Sequence, residues 1–532
     1  MVLRKLLSVA QVVSLWLVLS GGAQALTSAQ ALAIAAGETD ERIAALNAAA
    51  AEGDAALAGF VQALLDDGVK VDAKQAYVVR DGKSVIAGTD TDASPPAEAE
   101  DVVNNNRMRG ALEAALGVLK LVSPDTAVRA AALTELARNP LDEAQLPMIE
   151  KAYAAETDPA LKARLEKLRA TLLVSVSDPA RRLEAATALG ASAEAGVKSL
   201  LQERLAAGVE TDPAVRAALL KSLASVESRL AWGERLGVVF TGISLGSILL
   251  LVALGLAITY GLMGVINMAH GELMMIGAYA TFVVQNAFRA WLPGLFDAYV
   301  LVAIPVSFLS AALVGAVLER SVIRWLYGRP LETLLATWGI SLMLMQAVRS
   351  LFGAQNVAVE NPAWLSGGVQ VASNLILPFN RLAIVAFAFL VLGGVALMIS
   401  RTRLGLFVRG VTQNRRMAAC MGVNTARIDT YAFSLGAGIA GLAGCALSQV
   451  GNVGPDLGQG YIVDAFMVVV TGGVGQLAGT VYAALGLGVL NKFLEGYAGA
   501  VLAKIMVLVC IVVFIQKRPQ GLFAMKGRSA EA

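Results

Sequence analysis

The sequence predicts an all-α protein: a polytopic membrane bundle of about eight or nine spans, preceded by a soluble, HEAT-like helical domain with a small β-hairpin. Three observations predict it. Of 532 residues, 56% are hydrophobic and only 16% charged, below the roughly 25% charged of soluble domains. The charge is also divided along the chain: residues 237–532 carry 18 Lys+Arg against 10 Asp+Glu, a net of +8, whereas residues 1–236 carry 25 against 31, a net of −6. Finally, long apolar runs recur only after Leu236. An acidic, Ala-rich half and a basic, apolar half imply two regions in two solvents.

Taken in order, residues 1–25 read as a signal peptide. Arg4 and Lys5 give the positive start, Leu6 to Leu19 the apolar stretch, and Ala23-Gln24-Ala25 the small-residue cleavage pattern. The apolar stretch falls short of the roughly 20 residues that cross a bilayer, so the domain beyond residue 25 is expected to be exported. Residues 26–230 form the soluble domain. Ala76 to Ile86 reads as a hairpin with Asp81-Gly82 at its tight turn, and Asp90 to Glu100 as a polar loop. Asp158-Pro159, Asp178-Pro179 and Asp212-Pro213 then open three helices. Asp caps free N–H groups there, and Pro fits the first helical position, where no N–H is needed. Pro124-Asp125 matches this pattern less closely. Leu161, Leu165, Leu168 and Leu172 make one apolar stripe, and Val215, Leu219, Leu220, Leu223 and Val226 another. Repeated capped helices with single apolar faces suggest stacked pairs of the HEAT type.

Residues 231–525 form the membrane domain. Apolar runs at 237–263, 266–288, 298–318, 332–352, 381–400, 429–450 and 461–516 match span lengths, the last enough for two or three passes. Arg320, Arg324 and Arg329 follow the third run, Arg401 to Arg427 the fifth, and Lys517, Arg518, Lys526 and Arg528 close the chain. The positive-inside rule makes all three clusters cytoplasmic and the start of the first span external. The expected location is thus a bacterial inner membrane, with the first domain periplasmic and the C-terminus cytoplasmic.

No phosphate loop with its Gly-Lys-Ser/Thr signature occurs. Gly472 to Thr480 is glycine-rich without the lysine and reads as close helix packing. One histidine and no catalytic carboxylate pair exclude the common hydrolytic sites, and no metal-ligand spacing exists. Cys420, Cys445 and Cys510 read as small buried side chains of the bundle. The chain is therefore expected to be no enzyme, to hold no cofactor, and to draw energy for any active transport from elsewhere.

Three segments carry a resemblance. The first runs from Tyr260 through Asn267, His270, Gly271 and Glu272 to Tyr279. The second runs from Arg403 through Gly405, Arg409, Gln413, Asn414 and Ala418 to Gly422. The third runs from Asp464 through Gly472, Gly475 and Gly479, with Lys517-Arg518-Pro519-Gln520-Gly521 later. Together they resemble the permeases of branched-chain amino acid ABC importers. That resemblance implies a second related permease, two ATP-hydrolysing subunits that bind the ATP, and an exported solute-binding protein. It identifies Arg403, Gly405, Arg409, Gln413, Asn414, Ala418 and Gly422 with the loop that couples permease to ATPase.

Ionisable side chains within apolar sequence usually face a cavity or a partner. Asn267, His270, Glu272, Thr337, Ser341 and Asp464 are the candidates for the solute path or a gate. The competing reading puts the first three at the cytoplasmic end of a helix pair, with Asn267 capping a turn. The signal sequence and acidic helical extension resemble those of urea importers in this family. That implies urea as cargo and a urea-binding protein as partner, with branched-chain amino acids or short amides as the alternative and an ion-coupled carrier behind them.

Overall fold

The computed structural model describes residues 26–523 apart from 53–54, 81–82, 90, 94, 97 and 138–142. The expected signal peptide and the Asp81-Gly82 turn lie outside the described residues. The chain divides into two compact units, Met1–Leu230 and Ala231–Ala532.

The first unit opens with α1 (Ser28–Ala35), α2 (Thr39–Glu52) and α3 (Ala55–Leu65). Thr27 and Gln30 form a reciprocal capping box at the start of α1, satisfying two otherwise orphaned N–H groups. The strands β1 (Val69–Val71), β2 (Ala76–Arg80), β3 (Lys83–Ile86) and β4 (Glu100–Asp101) follow, in the antiparallel order β3-β2-β1-β4. The expected hairpin is thus the edge half of a sheet, and the expected polar loop ends in a strand paired with β1. Short strands with few alternating residues give little periodic signal. Buried Arg42 fixes this corner, donating to Ile34 O at 2.9 Å and to Asn104 Oδ1 at 2.6 Å.

Among the described residues, six more helices lie wholly within the first unit: α4 (Asn106–Lys120), α5 (Thr126–Leu136), α6 (Leu146–Ala155), α7 (Pro159–Leu173), α8 (Pro179–Leu189) and α9 (Ala195–Arg204). Asp158 and Asp178 cap α7 and α8 as their sequence predicts, and Asp125 caps α5 in the same way. Asp212 accepts from Ala214 N and Val215 N at the start of α10 (Pro213–Met263). The α7 stripe is inward, with Leu161, Leu165 and Leu172 buried. The second stripe is narrower than expected: Val215, Leu219 and Val226 are buried, but Leu220 is 53% exposed. One residue past Leu219, it turns about 100° away from the shared face.

One joint occurs twice. Arg129 grips Glu156 with Nε–Oε2 2.8 Å and Nη2–Oε1 3.0 Å, and its Nη1 donates to Ser123 O and Pro124 O. Arg182 grips Glu210 at the same two distances while donating to Val176 O and Ser177 O. Each glutamate also accepts from the N–H of the Asp that caps the next helix. Arg182 follows Arg129 by 53 residues and Glu210 follows Glu156 by 54. The helix starts look irregular one by one because one step from joint to joint takes in three of them, those of α5, α6 and α7. The arginine hydrogen bonds hold the Glu156 and Glu210 carboxyls below the usual carboxylate range.

In the second unit, α11 (His270–Trp291), α12 (Tyr299–Ser321), α13 (Pro330–Phe352) and α14 (Phe379–Arg401) follow α10. The short α15 (Arg403–Gln413) and α16 (Arg415–Cys420) come next, then α17 (Thr425–Ser448), α18 (Leu457–Gly472), α19 (Leu477–Ala498) and α20 (Ala500–Lys517). Among the described residues, seven helices are long and apolar enough to cross a membrane: α10, α12, α13, α14, α17, α19 and α20. The 22-residue α11 and the 16-residue α18 fall outside that group. The 461–516 run, expected to make two or three passes, resolves into three helices, of which α19 and α20 reach span length and α18 is shorter. A second hairpin, β5 (Gly368–Ala372) and β6 (Leu375–Pro378), follows α13, so two small sheets interrupt the all-α expectation.

α17 is the hub, and glycine is the reason. A Cβ on Gly441 would lie 2.4 Å from Ser307 O of α12, and one on Gly444 would lie 1.9 Å from Met274 O of α11. Gly436 meets Gly255 of α10 in the same way. Helices this close gain dispersion and Cα–H contacts where no hydrophobic effect distinguishes helix from lipid. The expected glycine packing at 472–480 is present too, Gly472 lying against Gly479.

The connections sort into two ends. Val357 bridges Val453, Tyr299 donates to Glu360 O, and Asn380 donates to Gln449 O, so 292–298, 353–378 and 449–456 share one end. At the other, Leu522 N donates to Thr471 O and Arg415 lies over the Tyr327 ring. Successive long helices therefore alternate in direction. Of the cysteines expected to be buried, only Cys445 is; Cys420 and Cys510 are exposed, at the end of α16 and on the outer face of α20.

Candidate functional site

Gly264, at φ +65°, breaks the chain after α10, and the turn to α11 gathers polar groups. Asn267 Oδ1 accepts from Ala269 N at 3.0 Å, so Asn267 does cap the turn. Thr337, fully buried on α13, accepts from Met268 N at 3.2 Å and bonds back to Thr333 O at 2.8 Å. His270 packs over Gly255, and its Nε2 lies 3.1 Å from Val252 O. A carbonyl only accepts, so Nε2 carries the proton and Nδ1 is left as an acceptor.

Glu272 is 1% exposed in the first turn of α11, where the helix dipole favours an anion. It faces Ser341 of α13, yet neither carboxylate oxygen has a partner in hydrogen-bond geometry among the described residues. The same holds for Asn267 Nδ2, His270 Nδ1 and, two turns along α11, the Tyr279 hydroxyl. Unpartnered buried polar atoms are rare, and four such side chains on one turn and one helix mark a polar seam. Asn267, His270, Glu272, Thr337 and Ser341 are thus brought together. Asp464 is not: it sits on α18 and pairs with Lys504 of α20 at 3.4 Å.

The 403–422 segment is two capped helices. Thr402 caps α15 and Asn414 caps α16. Gly405, Val408 and Val411 form the buried face of α15, and a Cβ on Gly405 would lie 2.1 Å from Ile399 O. Ala418 packs on the same apolar cluster, and Gly422 ends the segment at φ +83°. Four of the seven candidate coupling residues therefore shape the segment, while Arg403, Arg409 and Gln413 are exposed. Arg409 and Gln413 also line a cavity of about 310 Å³ with Ile258, Ile399, Leu435 and Leu477. Exposed Leu406, Phe407, Met417 and Met421 complete the outer surface of the segment. Sequence alone does not single them out, because apolar residues beside a span look like the span.

Residues 238–515 match the family described as branched-chain amino acid transport system, permease component. The high-affinity branched-chain amino acid transport system permease protein LivH of Salmonella typhimurium is 28% identical over 292 residues, 53% of this chain and 93% of that protein. The corresponding permease protein BraD of Pseudomonas aeruginosa is 29% identical over 287 residues, with the same coverage. The ribose import permease protein RbsC of Escherichia coli is 29% identical over 133 residues, 23% of this chain and 41% of that protein. No solved structure matches.

Proposed function

The chain belongs to the branched-chain amino acid transport system permease family, and on that premise we propose that it is the membrane-spanning subunit of an ATP-driven importer for urea. ATPase subunits and a solute-binding protein are its partners, as the family implies, along with a second related permease. The first unit has no counterpart in the LivH and BraD permeases, whose matches span 93% of their length. That extension carries the urea reading, because the resemblance to urea importers rests on it.

The polar seam is compatible with a neutral solute. Asn267, His270, Glu272, Thr337 and Ser341 include no Lys or Arg, so no fixed cation among them pairs with the carboxylate of an amino acid zwitterion. Urea offers four N–H donors and one carbonyl, which suit an acceptor carboxylate and an amide donor. In this reading the seam gates the path, and Asp464 and Lys504 form a separate ion pair. The end bearing Arg320, Arg324, Arg401 to Arg427 and Lys517 faces the cytoplasm, where positive charge collects. The 403–422 segment there couples to the ATPase, and the first unit is periplasmic.

A second reading keeps the mechanism and makes the cargo a branched-chain amino acid; the names of LivH and BraD favour it. Uptake of labelled urea and labelled leucine, with and without this chain and in competition with acetamide, separates the two. Loss of urea uptake alone supports the urea reading. Loss of leucine uptake alone overturns it.

A further inference from the structure

We propose that Arg415, Asp429 and Glu319 form a strut, anchored on two buried carboxylates, that carries movement of the 403–422 segment into the helical bundle. This rests on the reading of that segment as the coupling loop. Arg415 is the first residue of α16, directly after the cap that separates it from α15. Its guanidinium forks onto both oxygens of Asp429, Nη1–Oδ1 at 3.3 Å and Nη2–Oδ2 shorter. The same guanidinium lies 5.1 Å from the centroid of the Tyr327 ring. Tyr327 in turn donates to Glu319 Oε1 at 2.9 Å, and Thr430, next to Asp429, donates to Glu319 Oε2 at 2.6 Å.

Asp429 and Glu319 are each 2% exposed. They stand on α17 and α12, which pack closely where Gly315 meets Ala437. One cation thus ties the segment to two helices through a closed circuit of polar contacts. Arg403, Arg409 and Arg416 form no ion pair among the described residues, so Arg415 is distinct among its neighbours.

The physical argument concerns what happens when α16 is pushed. A buried carboxylate stripped of its cation is strongly unfavourable, so the pair is expected to stay engaged while the elements bearing it move together. The bidentate fork also fixes orientation, which a single contact does not. A push on α16 therefore turns α17 and α12 rather than bending the loop. Asp429 and Glu319 are positioning residues in this scheme and touch no solute.

The test uses the complete importer in proteoliposomes, with labelled urea or leucine, whichever the wild-type complex carries. The readout is ATP hydrolysed per solute moved, which a purely structural role would leave unchanged. Asp429→Asn and Arg415→Lys are expected to raise that ratio about tenfold, within the ordinary range of coupling free energies, at normal assembly. Tyr327→Phe removes only the hydroxyl donated to Glu319 and is expected to give a smaller rise. Should Asp429→Asn fail to assemble, Arg415→Lys and Tyr327→Phe still decide the matter. Ratios equal to wild type in the variants that assemble overturn the strut. A wild-type complex whose hydrolysis does not drive uptake overturns the coupling reading instead.

Discussion

Gly444→Ala is the sharpest probe of the bundle. The new methyl carbon would stand 1.9 Å from Met274 O and 2.8 Å from Ala278 N, against a comfortable carbon–oxygen distance of roughly 3.3 Å. Both atoms are backbone, so no side chain can swing aside, and α11 and α17 must part by about 1.4 Å. Overpacking of this kind costs about 1–3 kcal/mol. Moving α11 away from α17 also strains its two buried hydrogen bonds to Ser307 of α12, at Thr281 Oγ1 and Gly277 O, at about 1 kcal/mol each. Ala regains up to about 1 kcal/mol of helix propensity, leaving a net loss of about 2–4 kcal/mol. Gly486→Ala on α19 is the matched control, since no described residue lies within 4 Å of its added Cβ. Thermal unfolding in detergent reads both. The apparent melting temperature of Gly444→Ala should fall by about 5 °C or more, with Gly486→Ala unchanged or slightly raised. Equal melting temperatures for Gly444→Ala and wild type would refute the close crossing.

Three further outcomes are expected. Arg409→Glu with Gln413→Ala should lower uptake about tenfold or more while membrane abundance stays normal; retained transport would remove the coupling assignment of 403–422. Glu272→Gln, which keeps shape and removes charge, should lower uptake of the carried solute about tenfold without loss of abundance, and unaltered uptake would take Glu272 off the path. The third concerns pH. The Glu156 and Glu210 carboxyls are held below their unfolded value by Arg129 and Arg182. Their contribution is therefore full above about pH 4.3, the unfolded value, and is lost as pH falls through the lowered folded values. Thermal unfolding between neutral and acid pH should show less acid loss in Glu156→Gln with Glu210→Gln than in wild type; an identical slope would contradict the assignment.

Much of this protein was legible because its solvents are legible. Bilayer thickness sets span length, so the runs beginning at 237, 298, 332, 381 and 429 each fall on a helix of the structure. Asp before Pro announced the starts of α7, α8 and α10, because capping is chemistry among neighbours in the chain. The landmarks around His270, Arg403 and Gly472 already carried the family resemblance before any contact was visible.

What the sequence could not decide is what distant residues do to each other. The 53- to 54-residue spacing of the Arg129–Glu156 and Arg182–Glu210 joints is present in the sequence, but nothing marks those residues as partners until both helices stack. Glu272 and Asp464 looked alike as acids in apolar sequence. Only packing separated them, one beside Ser341 with no hydrogen-bond partner among the described residues and the other beside Lys504. Arg415 was one arginine in a basic loop until α17 brought a buried carboxylate to it. Hydropathy and caps are local sums over adjacent residues and survive in one dimension. Electrostatic pairing and close packing depend on inverse distance, which only the tertiary structure sets.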